Sequence, residues 1–246
     1  MRRMDERLRR SDGQAVDPGT ANDPVFDQLY PPDIRILSSL YWSPVAVARR
    51  AAHLFRIAGA RRVLDVGSGV GKFAIAAAAA APDVHFRGIE QRARLVEIAR
   101  RVAVGLQLPN VDFEVGDATA IEWASYDGLY FFNPFYENLF EPDERIDTDV
   151  ELSSVRFFDE VLRVEALLRA APEGTVMVTY HGLGGRIPSS YELLASERAH
   201  TDSLRLWVKR RGPEQDWFFL EHEGKVLRCR FEGARVVMHE HVVPAR

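Results

Sequence analysis

The chain has 246 residues, 46% of them hydrophobic and 28% charged, and a formal net charge of −4. This composition is typical of a globular protein with a sizeable core, and the acidic balance argues against a dedicated nucleic-acid-binding protein. The single cysteine, Cys229, excludes an internal disulfide, and no apolar run is long enough to span a bilayer, so we expect a cytoplasmic protein without membrane contact.

The first sixty residues predict two different parts. Residues 1–24 are polar and rich in arginine, which is typical of a flexible leader. Residues 25–60 predict an N-terminal helical segment, whose main helix runs from about Pro44 to Ala58. Ser43 suits the N-cap of this helix, and Gly59 suits its end.

From residue 61 onward, predicted strands alternate with predicted helices. The strands are Val63–Val66, Val84–Ile89, Val111–Val115, Gly128–Phe132 and Thr175–Tyr180. The helices are Lys72–Ala81, Arg92–Val104 and Val150–Ala170. This alternation is typical of βαβ units, so we predict an α/β fold that is doubly wound around a mostly parallel sheet.

The C-terminal end changes character. Four strand-like stretches, separated by glycine turns, are Leu204–Val208, Trp217–Leu220, Val226–Phe231 and Arg235–His241. Short strands joined by tight turns favour antiparallel pairing. We therefore expect one domain over residues 61–246, with a β-rich and antiparallel extension from about residue 204.

A loop with three glycines follows the first strand of this domain. In the stretch VLDVGSGVGKF, from Val63 to Phe73, Gly67, Gly69 and Gly71 lie between a strand and a helix. Glycine lets a ligand approach the backbone closely, and the helix N-terminus offers free N–H groups. The spacing differs from the dinucleotide fingerprint, and Asp65 just before the loop would repel a pyrophosphate but attract an amine.

These residues carry a family resemblance. Asp65 with the three glycines resembles motif I of class I S-adenosylmethionine (SAM)-dependent methyltransferases, and Glu90 and Asp117 follow at the ends of the next two strands. The resemblance implies SAM as cofactor, a Rossmann-like seven-stranded sheet, Glu90 on the ribose hydroxyls and Asp117 on the adenine amine. It also implies that segment 25–60 covers the cofactor, with Tyr41 and Trp42 as candidates for contact. The implied cofactor site comprises Asp65, Gly67, Ser68, Gly69, Gly71, Glu90, Gln91, Asp117, Ala118 and Asn133.

A second motif ends the fourth strand. Asn133-Pro134-Phe135-Tyr136 resembles the Asn/Asp-Pro-Pro-aromatic motif of methyltransferases that act on amino or amide nitrogens, except that Phe135 replaces the second proline. In that family, the Asn side-chain oxygen and a Pro carbonyl accept hydrogen bonds from the target nitrogen, and the following ring packs on the target group. The four residues are therefore the candidate catalytic residues. Together with the glycine loop, they resemble more loosely the lysine methyltransferases of the DOT1 type.

Two further features bear on the acceptor. The loop from Glu137 to Glu151 contains seven acidic residues, which suit either a solvated helix start or a rim that attracts a cationic acceptor and repels phosphates. His181, after the fifth strand, is either a base or a structural residue beside a glycine turn. The histidines show no spacing typical of a metal site.

We therefore predict a SAM-dependent methyltransferase that acts on a nitrogen of an amine-bearing acceptor such as a basic protein, with nucleic acid disfavoured. A small-molecule O-methyltransferase is the main alternative. An NAD-dependent oxidoreductase and a SAM-binding protein without catalysis stay open as further alternatives. The sequence does not specify the oligomeric state.

Overall fold

The computed structural model describes residues 16–210 and the strands within 217–222, 225–232 and 235–240. Seven strands form one sheet in the order β3-β2-β1-β4-β5-β7-β6. These strands are β1 (Arg62–Val66), β2 (His85–Glu90), β3 (Val111–Val115), β4 (Gly128–Phe132), β5 (Val176–Tyr180), β6 (Tyr191–Ala199) and β7 (Asp202–Lys209). Strands β1 to β5 pair in parallel, whereas β7 pairs antiparallel with both β5 and β6. The Rossmann-like sheet with an antiparallel end is thus confirmed.

Helices cover both faces of this sheet. They are α1 (Asp23–Phe26), α2 (Pro32–Arg35), α3 (Ser38–Tyr41), α4 (Val45–Ile57), α5 (Lys72–Ala80), α6 (Ala93–Gly105) and α7 (Ser154–Ala170). Successive strand residues alternate between two hydrophobic clusters: Val63 packs with the cluster of α4, α5 and α6, and Leu64 with that of α7. The strands are therefore apolar on both faces, as parallel strands buried between helices must be.

Part of the segment that precedes residue 25 already packs against the domain. Residues 1–15 of the expected leader lie outside the described residues, but Val16 and Ala21 are buried and α1 begins at Asp23. Pro44, rather than Ser43, occupies the N-cap position of α4. Ser43 is instead buried, with its Oγ 2.7 Å from the Tyr130 hydroxyl, so its side chain bonds to the sheet rather than to the helix.

The structure differs from the predicted elements in three ways toward the C-terminus. Helix α7 begins at Ser154 with Ser153 as N-cap, so the acidic residues up to 151 form a loop and not the first turn of the helix. Strand β6 was not predicted. Strand β7 belongs to the main sheet, whereas β8 (Trp217–His222), β9 (Lys225–Glu232) and β10 (Arg235–Glu240) form a separate antiparallel sheet. None of the described helices combines the length and apolar character needed to cross a membrane.

Candidate active site

A cavity of about 590 Å³ opens at the carboxyl ends of β1, β4 and β5. This is the edge of an open α/β sheet at which ligands bind, and the volume lies in the range of small-molecule sites. The N-terminal segment forms its opposite wall through residues 38–44. The sequence-predicted residues that line this cavity are Asp65, Gly67, Ser68, Gly69, Glu90, Asn133, Pro134 and Tyr136.

The glycine loop is pressed between two other segments. Gly67 and Gly69 have left-handed backbones, with φ of 72° and 54°, which favour glycine. A Cβ on Gly69 would lie 2.2 Å from Nε1 of Trp42, and one on Gly67 would lie 3.0 Å from Cβ of Pro134. Trp42 is buried and lines the cavity, so it serves both as core and as a wall over the loop.

Gly71 has a different role from the one predicted. It lines neither of the two cavities described for this edge of the sheet. Its φ is 74°, and a Cβ there would lie 2.4 Å from Cζ of Phe113 and 2.9 Å from Cβ of Ala99. Gly71 therefore lets α5 pack closely on β3 and α6, outside both cavities.

Two carboxyl groups meet beneath the loop. Asp65 is 3% exposed, and its Oδ2 has no hydrogen-bond partner. Burial, together with the nearby charge of Glu90, raises the pKa of Asp65 to about 8. Glu90 accepts from the backbone N–H groups of Gly69 at 3.1 Å and Arg92 at 3.0 Å, yet burial still raises its pKa. Asp65 is thus an acid without a partner that faces the cavity.

A buried arginine joins this site to the acidic loop, and the sequence analysis missed it. Arg92 bonds to Glu137 at 2.9 Å and to Asp147 at 2.7 Å, and it lies 3.9 Å from Glu90. Two of the loop's seven acids are therefore internal counter-ions. The remaining five are exposed and form a negative rim: Glu141, Asp143, Glu144, Asp149 and Glu151.

A second buried cation holds the N-terminal segment, and it was missed as well. Lys72 starts helix α5, where the helix dipole disfavours a positive charge. Its Nζ lies 2.6 Å from Asp23 and 2.8 Å from Asp27, and it donates to Ser38 Oγ at 2.7 Å. These three partners come from the first 40 residues, so Lys72 ties that segment to the helix after the glycine loop.

A smaller cavity of about 50 Å³ adjoins the first, and three further predicted cofactor residues line it. Gln91, Asp117, Ala118 and Phe135 line it. Oδ1 of Asp117 accepts from both the backbone N–H and the hydroxyl of Thr119, at 2.8 and 2.7 Å. Asp117 therefore closes a local turn, although its side chain is still partly exposed.

The Asn-Pro-Phe-Tyr motif divides between the two cavities. Asn133 has a left-handed backbone with φ of 43°, a conformation that Asn tolerates better than most residues. Its N–H donates to the carbonyl of Gly182 at 3.0 Å, while its side-chain amide lines the large cavity and bonds to none of the described residues. Tyr136 lines the same cavity and is 47% exposed, whereas Phe135 is buried in the core. Tyr136 is thus the ring of the motif that is available to a ligand in the large cavity.

No group of three or more His, Cys, Asp or Glu residues in the described part of the chain is placed to hold a metal ion. The cavity walls instead offer carboxyl groups, backbone groups, an amide and aromatic rings.

Comparison with known proteins agrees with this architecture. Residues 57–214 match the model of the methyltransferase domain family. A demethylmenaquinone methyltransferase from Deinococcus radiodurans is 34% identical over an alignment of 125 residues that covers 48% of this chain. The match spans about half of that enzyme, or 49% of its length.

Solved structures share the fold at low sequence identity. A candidate O-methyltransferase from Klebsiella pneumoniae superposes with a TM-score of 0.51 at 15% identity, over 78% of this chain and 92% of that one. An RNA methyltransferase from Salinibacter ruber, in complex with S-adenosyl-L-homocysteine, gives a TM-score of 0.49 at 19% identity, over 71% of this chain and 97% of that one.

Proposed function

This chain belongs to the methyltransferase domain family, and from that premise we propose that it transfers a methyl group from SAM to a nitrogen of an amine or protein side chain. The proposed methyl donor is SAM, which supplies an electrophilic methyl group when it is bound. The choice of nitrogen is our own inference. It rests on Asn133, whose amide lines the cavity without a partner among the described residues.

The residues of the large cavity fit SAM by their chemistry. Asp65 offers an unpaired carboxyl oxygen to the ammonium of the methionine moiety. Glu90 can accept from the ribose hydroxyls, because each of its oxygens has a second lone pair beyond its backbone bond. Gln91, Asp117 and Ala118 would border the adenine where the small cavity adjoins the large one. We further propose that segment 25–60 covers the cofactor, with Trp42 against Gly69 as the closing contact.

Nitrogen methylation requires that a lone pair point at the methyl carbon, so orientation supplies much of the catalysis. The Asn133 oxygen and the Pro134 carbonyl would accept hydrogen bonds from the target nitrogen and set its direction. Tyr136 would lie against the acceptor, where an aromatic face stabilises positive charge. The five exposed acids of the loop would draw a cationic acceptor to the cavity, as would suit a basic protein or a polyamine.

A small-molecule acceptor methylated on oxygen is the second candidate. The relative from Deinococcus radiodurans is named for demethylmenaquinone, a small molecule, which bears on the size of the acceptor and not on the atom that is methylated. The cavity is walled by aromatic rings such as Trp42, Phe132 and Phe140. A neutral aromatic acceptor would pack against those rings, but the five exposed acids of the loop would not attract it. The two acceptor classes therefore differ in how the rate responds to salt.

The test measures binding of the cofactor and methyl transfer to the acceptor separately. Calorimetric titration with SAM should show binding to the wild type and its loss in Asp65→Ala. Asn133→Ala should keep the SAM affinity and lose turnover with amine acceptors by about 100-fold or more, as expected for lost positioning. Thr148→Ala, at an exposed residue of the acidic loop, is the matched control and should behave as the wild type. Loss of SAM affinity in Asn133→Ala would make this residue part of the cofactor site, and an absence of SAM binding by the wild type would overturn the proposal.

A further inference from the structure

His181 belongs to a hydrogen-bonded chain at the side of the cavity opposite the glycine loop. It follows β5 directly, with a left-handed backbone at φ of 56°. Its Nε2 lies 2.9 Å from Oγ1 of Thr201, and its Nδ1 lies 3.4 Å from Oδ2 of Asp202. The hydroxyl of Tyr180 is 2.8 Å from the same Thr201 oxygen.

One assignment of protons satisfies every member of this chain. The N–H of Thr201 donates to the Tyr180 oxygen at 3.3 Å, which leaves the tyrosine hydrogen to donate to Oγ1 of Thr201. The Thr201 hydrogen then donates to Nε2 of His181. Nδ1 lies at ion-pair distance from Asp202, which is a pure acceptor when ionised, so this carboxylate favours the ring proton on Nδ1. The imidazole is thereby held with a basic nitrogen behind the Thr201 hydroxyl.

The fold brings this chain to the cavity that Asn133 lines. The turn between β6 and β7, at residues 200–201, lies over the end of β5, because β7 pairs antiparallel with it. The Asn133 N–H donates to the carbonyl of Gly182, so the loop with Asn133 and the loop with His181 are bonded side by side. Asn133, Tyr180, His181 and Thr201 all line the large cavity.

We propose that Thr201 and His181 relay the proton that the acceptor must lose, with Asp202 as the positioning residue for the imidazole. This inference rests on the proposed nitrogen methylation. An alkylammonium has a reference pKa of about 10.4, so near neutral pH it has no free lone pair. Nothing in the Asn133-Pro134 pair accepts that proton permanently, since an amide and a carbonyl are very weak bases.

The step balances in atoms and charge. The acceptor ammonium gives one proton to Oγ1 of Thr201 as the hydroxyl passes its own proton to Nε2 of His181. The freed lone pair forms a bond to the methyl carbon, the carbon–sulfur bond breaks, and sulfur keeps the electron pair as a neutral thioether. The product is a methylated ammonium. His181, whose side chain is 36% exposed, returns the proton to water.

The groups around the His181 imidazole support its role as the base of the relay. From β7, Asp202 would stabilise the imidazolium. From β5, the Tyr180 ring lies edge-on at 4.5 Å, and from β4 the Phe132 ring lies at 5.5 Å. His200 in the adjoining turn is titratable as well, and it is exposed to solvent.

The first test is independent of turnover. Long-range ¹H–¹⁵N correlation spectra report which imidazole nitrogen carries the proton, and the His181 signal is identified by its loss in His181→Gln. We expect the neutral ring protonated on Nδ1, a shifted Nε2 signal in Thr201→Val, and a mixture of tautomers in Asp202→Asn. A neutral ring protonated on Nε2 would overturn the relay.

The second test measures transfer of labelled methyl groups from SAM to poly-L-lysine and to 1,5-diaminopentane. At pH 7, His181→Gln should lower kcat by 10²–10⁴-fold, the usual range for general base catalysis, with little change in KM or SAM affinity. The loss should shrink as the pH approaches 10, where free amine becomes abundant. His53→Gln, an exposed histidine on α4, is the matched control.

The outcomes separate the two proposals. Wild-type transfer that is unchanged in His181→Gln at pH 7 would overturn the relay and leave nitrogen methylation intact. No transfer to either amine at any pH, with SAM binding intact, would overturn nitrogen methylation and with it the need for an amine base.

Discussion

Replacing Asp65 by Asn should stabilise the protein at pH 8 in the absence of cofactor, although it removes a predicted cofactor contact. The buried carboxyl has its pKa raised from 3.8 to about 8. Between those pH values the folded state binds more protons than the unfolded state, so the free energy of unfolding falls as the pH rises. At about 1.4 kcal/mol per pH unit, the full shift corresponds to about 6 kcal/mol at pH 8. Asn is a neutral analogue of the protonated acid and removes this dependence.

Part of that gain will be lost, because a buried amide group must find partners that the carboxyl did not need. Since the cost of the buried amide does not depend on pH, we expect Asp65→Asn to be more stable than the wild type by about 2–4 kcal/mol at pH 8 and less stable by about 1–3 kcal/mol at pH 4. Urea unfolding at pH 4, 6 and 8 measures the difference. Asp149→Asn, at an exposed carboxylate of the acidic loop, is the control and should change stability by less than about 0.5 kcal/mol.

The test is whether the stability of Asp65→Asn relative to the wild type rises with pH. A variant that is less stable than the wild type at pH 8, or a difference that does not grow from pH 4 to pH 8, would refute the view that Asp65 is an unpaired buried acid. SAM provides a cross-check. Its ammonium should draw the proton from Asp65, so cofactor binding near pH 6.5 should release close to one proton in the wild type and none in Asp65→Asn. Calorimetry in buffers of different ionisation heat measures that release.

Two further substitutions test other parts of the site. Lys72→Met leaves the carboxylates of Asp23 and Asp27 without their cation and should lower the free energy of unfolding by about 2–4 kcal/mol, less than for a fully buried pair because Asp23 is partly hydrated. Arg50→Ala, which removes an exposed ion pair, is the control and should lower it by less than about 1 kcal/mol. Equal losses for the two variants in urea unfolding would contradict the structure. Gly71→Ala should lower the free energy of unfolding by about 2–5 kcal/mol, because the strain of a left-handed backbone adds to the clash with Phe113. Gly59→Ala, with φ of 86° but no neighbouring atom in the way, should lower it by only about 1–2 kcal/mol.

The sequence predicted those features that depend on local pattern. The parallel core, the glycine loop and the carboxyl group at Asp65 follow from strand-helix alternation and spacing, and the structure has them where they were expected. Strand β6 was missed because its sequence, YELLASERA, is rich in residues that favour helices, and pairing with β7 overrides that preference.

The roles of charged residues depended on tertiary contacts, which the sequence does not show. Lys72 reads as an ordinary helix-start residue until Asp23 and Asp27, almost fifty residues earlier, are placed beside it. The acidic loop reads as a solvated stretch, yet it supplies two counter-ions to Arg92. Pairs of this kind are specified by folding as a whole, and no spacing rule identifies them.

The arrangement of charge around the large cavity indicates how the site selects its ligand. Lys72 and Arg92 both line the cavity, but each is neutralised by carboxylates, so neither is a free attractor for a phosphate. Asp65 is the contrary case, since its Oδ2 is buried without a hydrogen bond. A ligand that brings a positive charge to this point relieves the penalty, and one that brings a negative charge increases it. Asp65 therefore favours a ligand that brings an ammonium over one that brings a pyrophosphate, which supports our proposal that the glycine loop binds SAM rather than a dinucleotide.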